Sequence, residues 1–388
     1  MGAGFLGWTL DAFDFFVVIF LLDTLAEHFR VPKRDLVLSI TATLAMRPVG
    51  ALVFGMMADR YGRRRPLMVN VLFFATIEFL CGFAPNFTVF FILRMLFGIG
   101  MGGEWGVGAS LTMEHAPVRW RGVLSGILQS GYSIGYLLAA LAARFVLPNW
   151  GWRAMFWVGG IPALLALYIR TKVPESEAWK QHHPSSLAGL GRTLASNWKL
   201  FLYFTLFMMA MHMSSHGTQD MYPTFLEKDW GIAGKQRAML TAISMGGAIL
   251  GGLSIGWISD RIGRRRAMLA ALGGALLVIP LWAFAHTLPM LVLGAVLIQF
   301  CVQGAWGVVP AHVAELSPDS VRGTLPGLGN QIGVFIAGGL PALEAYTAKN
   351  HTYAVAMAGW AAVVFCLAAV MTLAGQERKA AHFGDLKD

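Results

Sequence analysis

Long apolar stretches alternate with short charged segments along the whole chain. A helix of about 20 apolar residues is long enough to cross a lipid bilayer. By that measure the pattern predicts an all-α membrane protein with twelve transmembrane helices, six in each half. These spans, numbered 1 to 12 in chain order, are predicted at 4–26, 36–57, 66–85, 88–111, 122–147, 151–171, 198–226, 237–258, 267–286, 288–312, 322–348 and 351–374.

The charged segments between the spans occur twice. Segment 59–65 (DRYGRRR) returns as 260–266 (DRIGRRR), and 114–122 (EHAPVRWRG) returns as 315–323 (ELSPDSVRG) by the same offset. Such a period indicates two homologous halves, which is how many secondary transporters are built around a shared site. The predicted organisation is an N-terminal six-helix half at 1–171, a cytoplasmic linker at 172–197, a C-terminal six-helix half at 198–375 and a cytoplasmic tail at 376–388.

The charge distribution predicts how the chain is oriented in the membrane. Charged residues make up 13% of the chain, whereas soluble domains average about 25%. Most of the 30 Lys and Arg residues fall in loops on the side of the repeated segments. Basic loops stay inside, so we expect a multi-pass protein of the cytoplasmic (inner) membrane with both termini cytoplasmic. The net charge of +9 therefore indicates topology and not nucleic-acid binding. Chains of this kind usually carry a cytoplasmic tail before span 1, so a truncated start is expected.

The sequence carries none of the patterns that we would expect of an enzyme. It has no nucleophile elbow, phosphate loop or metal-binding cluster. Segment 98–103 (GIGMGG) fits a dinucleotide fingerprint but lies inside an apolar helix, so we interpret it as packing. Cys81, Cys301 and Cys366 are isolated in apolar surroundings and are expected to pack as small apolar residues. We therefore predict neither an enzyme nor a bound metal or cofactor.

Segment 55–65 (GMMADRYGRRR), between spans 2 and 3, resembles the signature loop of the major facilitator superfamily. Segment 260–266 echoes it after span 8. The resemblance covers essentially the whole chain. It implies the major facilitator fold, in which two six-helix pseudo-repeats rock about a central site that opens to one side of the membrane at a time.

A narrower resemblance lies in span 7. Segment 215–224 (SHGTQDMYPT) is similar to a motif of fungal lactate/pyruvate–proton permeases, which belong with bacterial sialic acid transporters in the sialate:proton symporter family. Gln331 and Glu344 of span 11 are spaced as in the same permeases. His212 and Val334 stand where those permeases have asparagine. The resemblance implies proton-coupled symport of a small organic anion.

Arg47 lies in the middle of span 2 and is a candidate substrate ligand. A charged side chain at the bilayer centre costs roughly 2.5–3.5 kcal/mol on insertion scales, so it is expected to have a partner or a role. A guanidinium matches a carboxylate with two parallel hydrogen bonds. The alternative interpretation is a structural ion pair with Asp11, Asp14 or Asp220.

Spans 5 and 11 occupy equivalent places in the two halves, and both carry polar residues among apolar ones. We predict that these residues line one cavity and hydrogen-bond the substrate: Gln129, Tyr132, Tyr136, Asn330 and Gln331. Polar side chains inside a membrane also join neighbouring helices, and each of the five is open to that interpretation. Arg94, near the outer end of span 4, is predicted to tie that span to a neighbour.

His216 and Asp220 are four residues apart in span 7 and therefore share one helix face. Histidine titrates near neutral pH and a neighbouring carboxylate tunes it, so the pair is a candidate for proton coupling. Asp14 in span 1 is a further candidate, and Asp14 or Glu344 is the place for a second proton. The alternatives are a polar network at the outer end of span 7 and, for Asp14, an ion pair with Arg47.

The repeated charged segments are predicted to form a cytoplasmic latch, whose ion pairs break and re-form as the halves rock. The latch consists of Asp59, Arg60, Arg63, Glu114, Arg121, Asp260, Arg261, Arg264, Glu315 and Arg322.

The predicted function is symport of a small organic anion with protons across the lipid bilayer, by a monomeric transporter. Monocarboxylates such as lactate and pyruvate come first as substrates, and sialic acid follows. An antiporter for drugs or organic cations is the alternative within the same fold, and the central positive charge of Arg47 disfavours it. A non-transporting membrane sensor is the alternative from another class, and it would normally add a soluble signalling domain.

Overall fold

In the computed structural model, residues 2–160, 168, 173–181, 187–232 and 234–383 are described. Helices make up this part of the chain, without any strand. The N-terminal half contains Gly2–Phe20, Leu22–Phe29, Lys33–Tyr61, Arg64–Cys81, Phe87–His115, Arg121–Phe145 and Leu147–Val158. The linker contains Glu177–Gln181 and Leu187–Ser196. The C-terminal half contains Trp198–Gln219, Tyr222–Lys228, Gly234–Ile262, Arg264–Ala283, Leu288–Leu316, Leu325–Ala337, Leu340–Thr347 and Tyr353–Ala374.

These helices follow the order of the predicted spans. Among the described residues, seven helices are long and apolar enough to cross a membrane, and two bent helix pairs raise the number to nine. The remaining three positions are spans 3, 6 and 11. Span 3 is the shorter helix Arg64–Cys81, and span 11 is divided into two pieces. Span 6 contains the helix Leu147–Val158, and its predicted end at 171 lies outside the described residues.

Spans 1 and 7 were predicted as single helices, and both are broken. Span 1 bends by 58° at Leu21. Span 7 stops at Gln219, and Pro223 opens a separate short helix, Tyr222–Lys228. Pro223 suits the first turn of this new helix, because its missing N–H would have no partner within that turn.

Span 11 is also broken, and it begins at Leu325 instead of the predicted 322. Its first piece ends at Gly338 and Gly339, and Pro341 lies at the start of the second. A non-helical stretch within a span is tolerated where protein surrounds it, and hydropathy alone runs through such a break without a signal.

The two halves meet through equivalent helices: span 2 packs against span 11, and span 5 packs against span 8. Between spans 5 and 8, a Cβ atom on Gly126 would lie 2.2 Å from the carbonyl oxygen of Gly252. One on Gly122 would lie 2.4 Å from the carbonyl oxygen of Gly256. Glycine at these positions therefore lets the backbones of the two halves touch.

Candidate functional site

A cavity of about 60 Å³ lies between the two halves. On this scale one water needs about 10–15 Å³, so the cavity has room for only a few small groups. Spans 1, 2, 4, 5, 7, 10 and 11 contribute to its wall. The lining residues are Trp8, Phe15, Leu44, Arg47, Met101, Gln129, Tyr132, His212, Ser215, His216, Gln303, Trp306 and Val334.

Arg47 brings a positive charge to the cavity wall. Its side chain is buried, with 4% exposed, and its Nε has no hydrogen-bond partner among the described residues. Asp11 is near enough to act on it electrostatically. The ion pairs of the described residues do not include Arg47. The structural ion pair considered above is therefore not formed in this part of the chain, and the guanidinium is available to an anion.

Gln129 and Tyr132 of span 5 line the cavity beside Arg47. The Oε1 atom of Gln129 has no hydrogen-bond partner among the described residues. The ring of Tyr132 stacks on Trp8, with centroids 5.9 Å apart and 26° between the ring planes. Span 5 thus brings an amide side chain and one face of an aromatic wall to the cavity.

The other three predicted substrate residues do not line this cavity. Tyr136 packs its ring against phenylalanines of span 1. Asn330 lies behind His212, with its Oδ1 2.9 Å from the His212 Nε2. Gln331 donates from Nε2 to a backbone carbonyl of span 4 at 3.3 Å. In this conformation Asn330 and Gln331 join helices, and Asn330 acts on the cavity through His212.

His216 and Asp220 meet as their spacing requires. The Nδ1 of His216 lies 2.8 Å from the Oδ2 of Asp220. His216 borders the cavity, and Asp220 follows the last residue of helix Trp198–Gln219, at the end opposite the linker. Their side chains are 22% and 38% exposed. A proton held between them would therefore lie between the cavity and that end of the molecule.

Asp14 lies in the interior of the N-terminal half and not on the cavity wall. Its carboxylate is fully buried, and neither oxygen has a hydrogen-bond partner among the described residues. The carboxylates of Asp11, Glu104 and Glu344 are also buried without a hydrogen-bond partner among the described residues. Glu344 lies in span 11, in the C-terminal half. Asp14 thus stays a candidate proton site that is separate from the His216 pair.

Arg94 pairs with Glu78 of span 3, with 2.5 Å between Nη1 and Oε2. Both side chains are buried. The pair joins spans 3 and 4, which is the contact to a neighbouring span predicted for Arg94.

The predicted latch residues form one network across the interface. Asp59 of the N-terminal half accepts hydrogen bonds from the backbone N–H groups of residues 323 and 324, at 2.8 and 2.9 Å. Arg63 pairs with Asp59 and, at 3.1 Å, with Glu114. Glu114 reaches across to Arg322 at 3.2 Å. The start of span 11 is thereby bound to the end of span 2.

The C-terminal half makes the same contact in the opposite direction. Asp260 accepts from the backbone N–H groups of residues 122 and 123, at 2.8 and 3.0 Å. Arg264 pairs with Asp260 at 2.7 Å and with Glu315 at 3.0 Å. Arg121 crosses the interface to Glu315 at 3.0 Å. The two halves are therefore closed together on the latch side in this conformation.

Arg60 and Arg261 occupy the edge of the latch. The Arg60 guanidinium carbon lies 5.8 Å from the centre of the Tyr61 ring, and that of Arg261 lies 3.6 Å from the centre of the Trp257 ring. These contacts stay within one half, unlike those of Asp59 and Asp260.

Sequence reasoning missed much of the cavity wall. Trp8, Trp306, Ser215 and Gln303 were not predicted as site residues, and Gln303 donates from Nε2 to the Ser215 hydroxyl at 2.9 Å. A tryptophan in an apolar helix gives the same pattern whether it faces lipid, core or cavity. At His212 the sequence did mark a cavity residue, because the similar permease motif has asparagine at that position.

Comparison with known proteins supports the resemblance seen in the sequence. The family model of the Major Facilitator Superfamily matches residues 4–221 and 220–385. The chain is 27% identical over 377 residues to the "Carboxylic acid transporter protein homolog" of Saccharomyces cerevisiae, covering 90% of this chain and 61% of the yeast protein. It therefore spans less than two thirds of that relative. It is 26% identical over 360 residues to the sialic acid transporter NanX of Escherichia coli, covering 92% and 88%.

The fold has a close counterpart among solved structures. The chain superposes on the proton:xylose symporter XylE bound to 6-bromo-6-deoxy-D-glucose with a TM-score of 0.82 and 18% sequence identity, covering 99% of this chain and 97% of the other. At that identity the likeness concerns the fold alone. The predicted arrangement of twelve helices in two halves is confirmed by this match and by the family match.

Proposed function

The chain belongs to the Major Facilitator Superfamily, and on that premise we propose that it carries a small organic anion together with protons by alternating access. It is an integral membrane transporter and not an enzyme. The observation that carries the proposal is the buried side chain of Arg47, which lines the central cavity without an ion-pair partner among the described residues.

A carboxylate is the anion that this cavity suits best. Arg47 supplies two parallel donors, and the free Oε1 of Gln129 can accept from a substrate hydroxyl. A buried positive charge repels organic cations, which argues against the antiporter alternative. The relatives named for carboxylic acid and sialic acid transport support an acid as well.

The size of the cavity favours a small acid. About 60 Å³ suits lactate or pyruvate, whereas sialic acid carries a sugar ring and a glycerol chain that need more room. We therefore place monocarboxylates such as lactate and pyruvate first and sialic acid second.

The proposed cycle uses the His216–Asp220 pair and the latch in turn. A proton enters from the end of span 7 opposite the linker and rests on the pair while the anion binds Arg47. The latch contacts of Asp59 and Asp260 then break, and the halves separate on that side. We assign the latch side and both termini to the cytoplasm, and the working unit is a monomer in the cytoplasmic membrane.

Purified protein in proteoliposomes tests the proposal directly. Labelled lactate, pyruvate and sialic acid are offered with and without a pH gradient, acidic outside. Accumulation of a carboxylate that requires the gradient supports the proposal. Uptake of organic cations in place of carboxylates would contradict it.

The same vesicles test the stoichiometry. One monoanion that moves with one proton carries no net charge, so the membrane potential, worth roughly 2.3 kcal/mol per charge per 100 mV, should not contribute to the driving force. We expect that an inside-negative potential imposed with potassium and valinomycin at equal pH drives no accumulation. Accumulation under that condition would require a second proton, with Asp14 and Glu344 as its candidate sites.

A further inference from the structure

Aromatic rings face the cavity from both halves. Trp8 and Tyr132 form a stacked pair in the N-terminal half. His212 and Trp306 form a second pair in the C-terminal half, with centroids 4.6 Å apart. All four residues line the cavity, so a bound molecule lies between two aromatic walls.

The rings of the C-terminal wall are held in place before any substrate arrives. Trp306 donates from Nε1 to the carbonyl oxygen of Met211 at 3.0 Å. His212 is fixed by the 2.9 Å contact of its Nε2 with Asn330. Side chains that are already ordered lose little conformational entropy when a substrate binds. The fixed shape of this wall can therefore discriminate between substrates.

We infer that this site selects flat, conjugated carboxylates, with His212 and Trp306 as specificity-determining residues. Pyruvate is the smallest anion of this class and suits the cavity in this conformation, whereas benzoate, a larger member, requires the cavity to be wider than the about 60 Å³ seen here. The inference rests on the proposed function, because it concerns the same cavity and places the carboxylate on Arg47. A flat π system stacks on the fixed rings, whereas a saturated ring of equal size offers no π face.

The test compares two acids of matched size, benzoate and cyclohexanecarboxylate, as inhibitors of labelled pyruvate uptake in proteoliposomes. We expect benzoate to inhibit at about tenfold lower concentration, which is the upper range for aromatic contacts. In Trp306→Leu the ratio of the two inhibition constants should fall to within about twofold, because one ring face is lost. His212→Asn should lower the ratio less.

Trp198→Leu is the matched control, since Trp198 is 56% exposed and lies outside the cavity. Because the readout is a ratio within one preparation, differences in expression cancel. Equal inhibition by both acids in the wild type, or an unchanged ratio in both cavity variants, overturns the inference. Binding of benzoate is also measured by thermal shift of the detergent-solubilised protein. If no carboxylate binds or is transported, the proposed function falls too, whereas binding without preference removes this inference alone.

A second inference rests on different residues, in the tail after span 12. Glu377 accepts from the backbone N–H groups of residues 264 and 265, at 3.1 and 2.8 Å. Lys379 donates from Nζ to the carbonyl oxygen of Arg261 at 2.7 Å. The beginning of the tail is therefore anchored to the C-terminal half.

The tail then crosses to the N-terminal half. Arg121 donates from Nη1 to the carbonyl oxygen of Ala381 at 2.9 Å. The Phe383 ring centre lies 3.9 Å from the guanidinium carbon of Arg121 and 4.1 Å from that of Arg322, one from each half. The Phe383 side chain also packs against a small apolar cluster drawn from both halves, which consists of Ala109, Met113, Leu128, Ala311 and Ala314.

The geometry points to an autoinhibitory wedge, in which segment 377–383 holds the latch side closed. Phe383 contacts two latch arginines that must separate when the halves part. The wedge therefore has to leave before the cavity opens on that side, and its removal favours the open state.

Cysteine labelling in detergent tests the wedge without reference to transport. Met113→Cys, in a background without the three native cysteines, places a thiol in the buried cluster against which Phe383 packs. We expect Phe383→Ala to raise the rate of maleimide labelling about tenfold, as two lost cation–π contacts imply. Phe383→Tyr keeps the ring and should label at the parent rate. His382→Ala changes the exposed neighbour and serves as the matched control. Equal rates with and without the Phe383 ring overturn the inference.

Discussion

The Arg47→Lys variant is expected to bind its carboxylate substrate roughly 10- to 100-fold more weakly than the wild type, a loss of about 1.4–2.8 kcal/mol. Lysine keeps the positive charge but presents a compact ammonium in place of the planar fork whose N–H groups donate to both carboxylate oxygens. The Nε of Arg47 is free among the described residues, so a bidentate contact displaces no protein bond there.

The measurement is the concentration dependence of carboxylate uptake in proteoliposomes. Arg34→Lys is the matched control, because the Arg34 side chain lies at the start of the same helix and is 86% exposed. An amide analogue of the substrate should compete poorly in the wild type. If Arg47→Lys keeps the wild-type affinity, the bidentate contact is wrong. If the amide competes as well as the acid, recognition of charge is wrong as well.

The Asp220→Asn variant is expected to lose accumulation against a gradient while it keeps exchange of substrate across the membrane. Its carboxylate lies 2.8 Å from the His216 ring and stabilises the protonated imidazole there. An amide carries no charge, so the pair no longer holds the proton that accompanies the anion. Uptake should then run only until the inside and outside concentrations are equal.

Accumulation is measured under an imposed pH gradient, and exchange is measured as counterflow without one. Glu227→Gln is the matched control, since Glu227 lies in the short second helix of span 7 and pairs with Arg237 away from the cavity. Full accumulation by Asp220→Asn would remove Asp220 from the coupling step and direct attention to Asp14.

Much of the fold follows from patterns that repeat along the chain. Apolar stretches of span length predict the helices. Inside lipid every backbone N–H and C=O group needs a hydrogen-bond partner within the protein, and few structures other than a helix supply one. The duplicated charged segments predict that Asp59 and Asp260 belong to one network, since equivalent loops of two related halves lie on the same side. The exact partners, the N–H groups at the starts of spans 5 and 11, depend on the packing of the halves and leave no trace in either segment.

The cavity was harder to predict, because a polar residue in an apolar helix gives no indication of what it faces. Gln129 and Tyr132 face the cavity, whereas Gln331, with the same surroundings in sequence, joins span 11 to span 4. The direction of a side chain depends on the rotation of its helix against the partner half. The breaks at Leu21 and Gly338 change that rotation within a span and have no counterpart in the hydropathy pattern.

The reciprocal contacts of Asp59 and Asp260 have the form of an isologous interface, in which each of two identical subunits presents the same residues to the other across a two-fold axis. The two six-helix halves therefore meet within one chain in the way that the subunits of a homodimer meet. In a homodimer, each residue of the cavity would necessarily be present twice, once in each subunit. The repeat offset instead places Ala248 at the position equivalent to Arg47. A single chain thus keeps a symmetric scaffold while the proposed anion ligand is present in one copy.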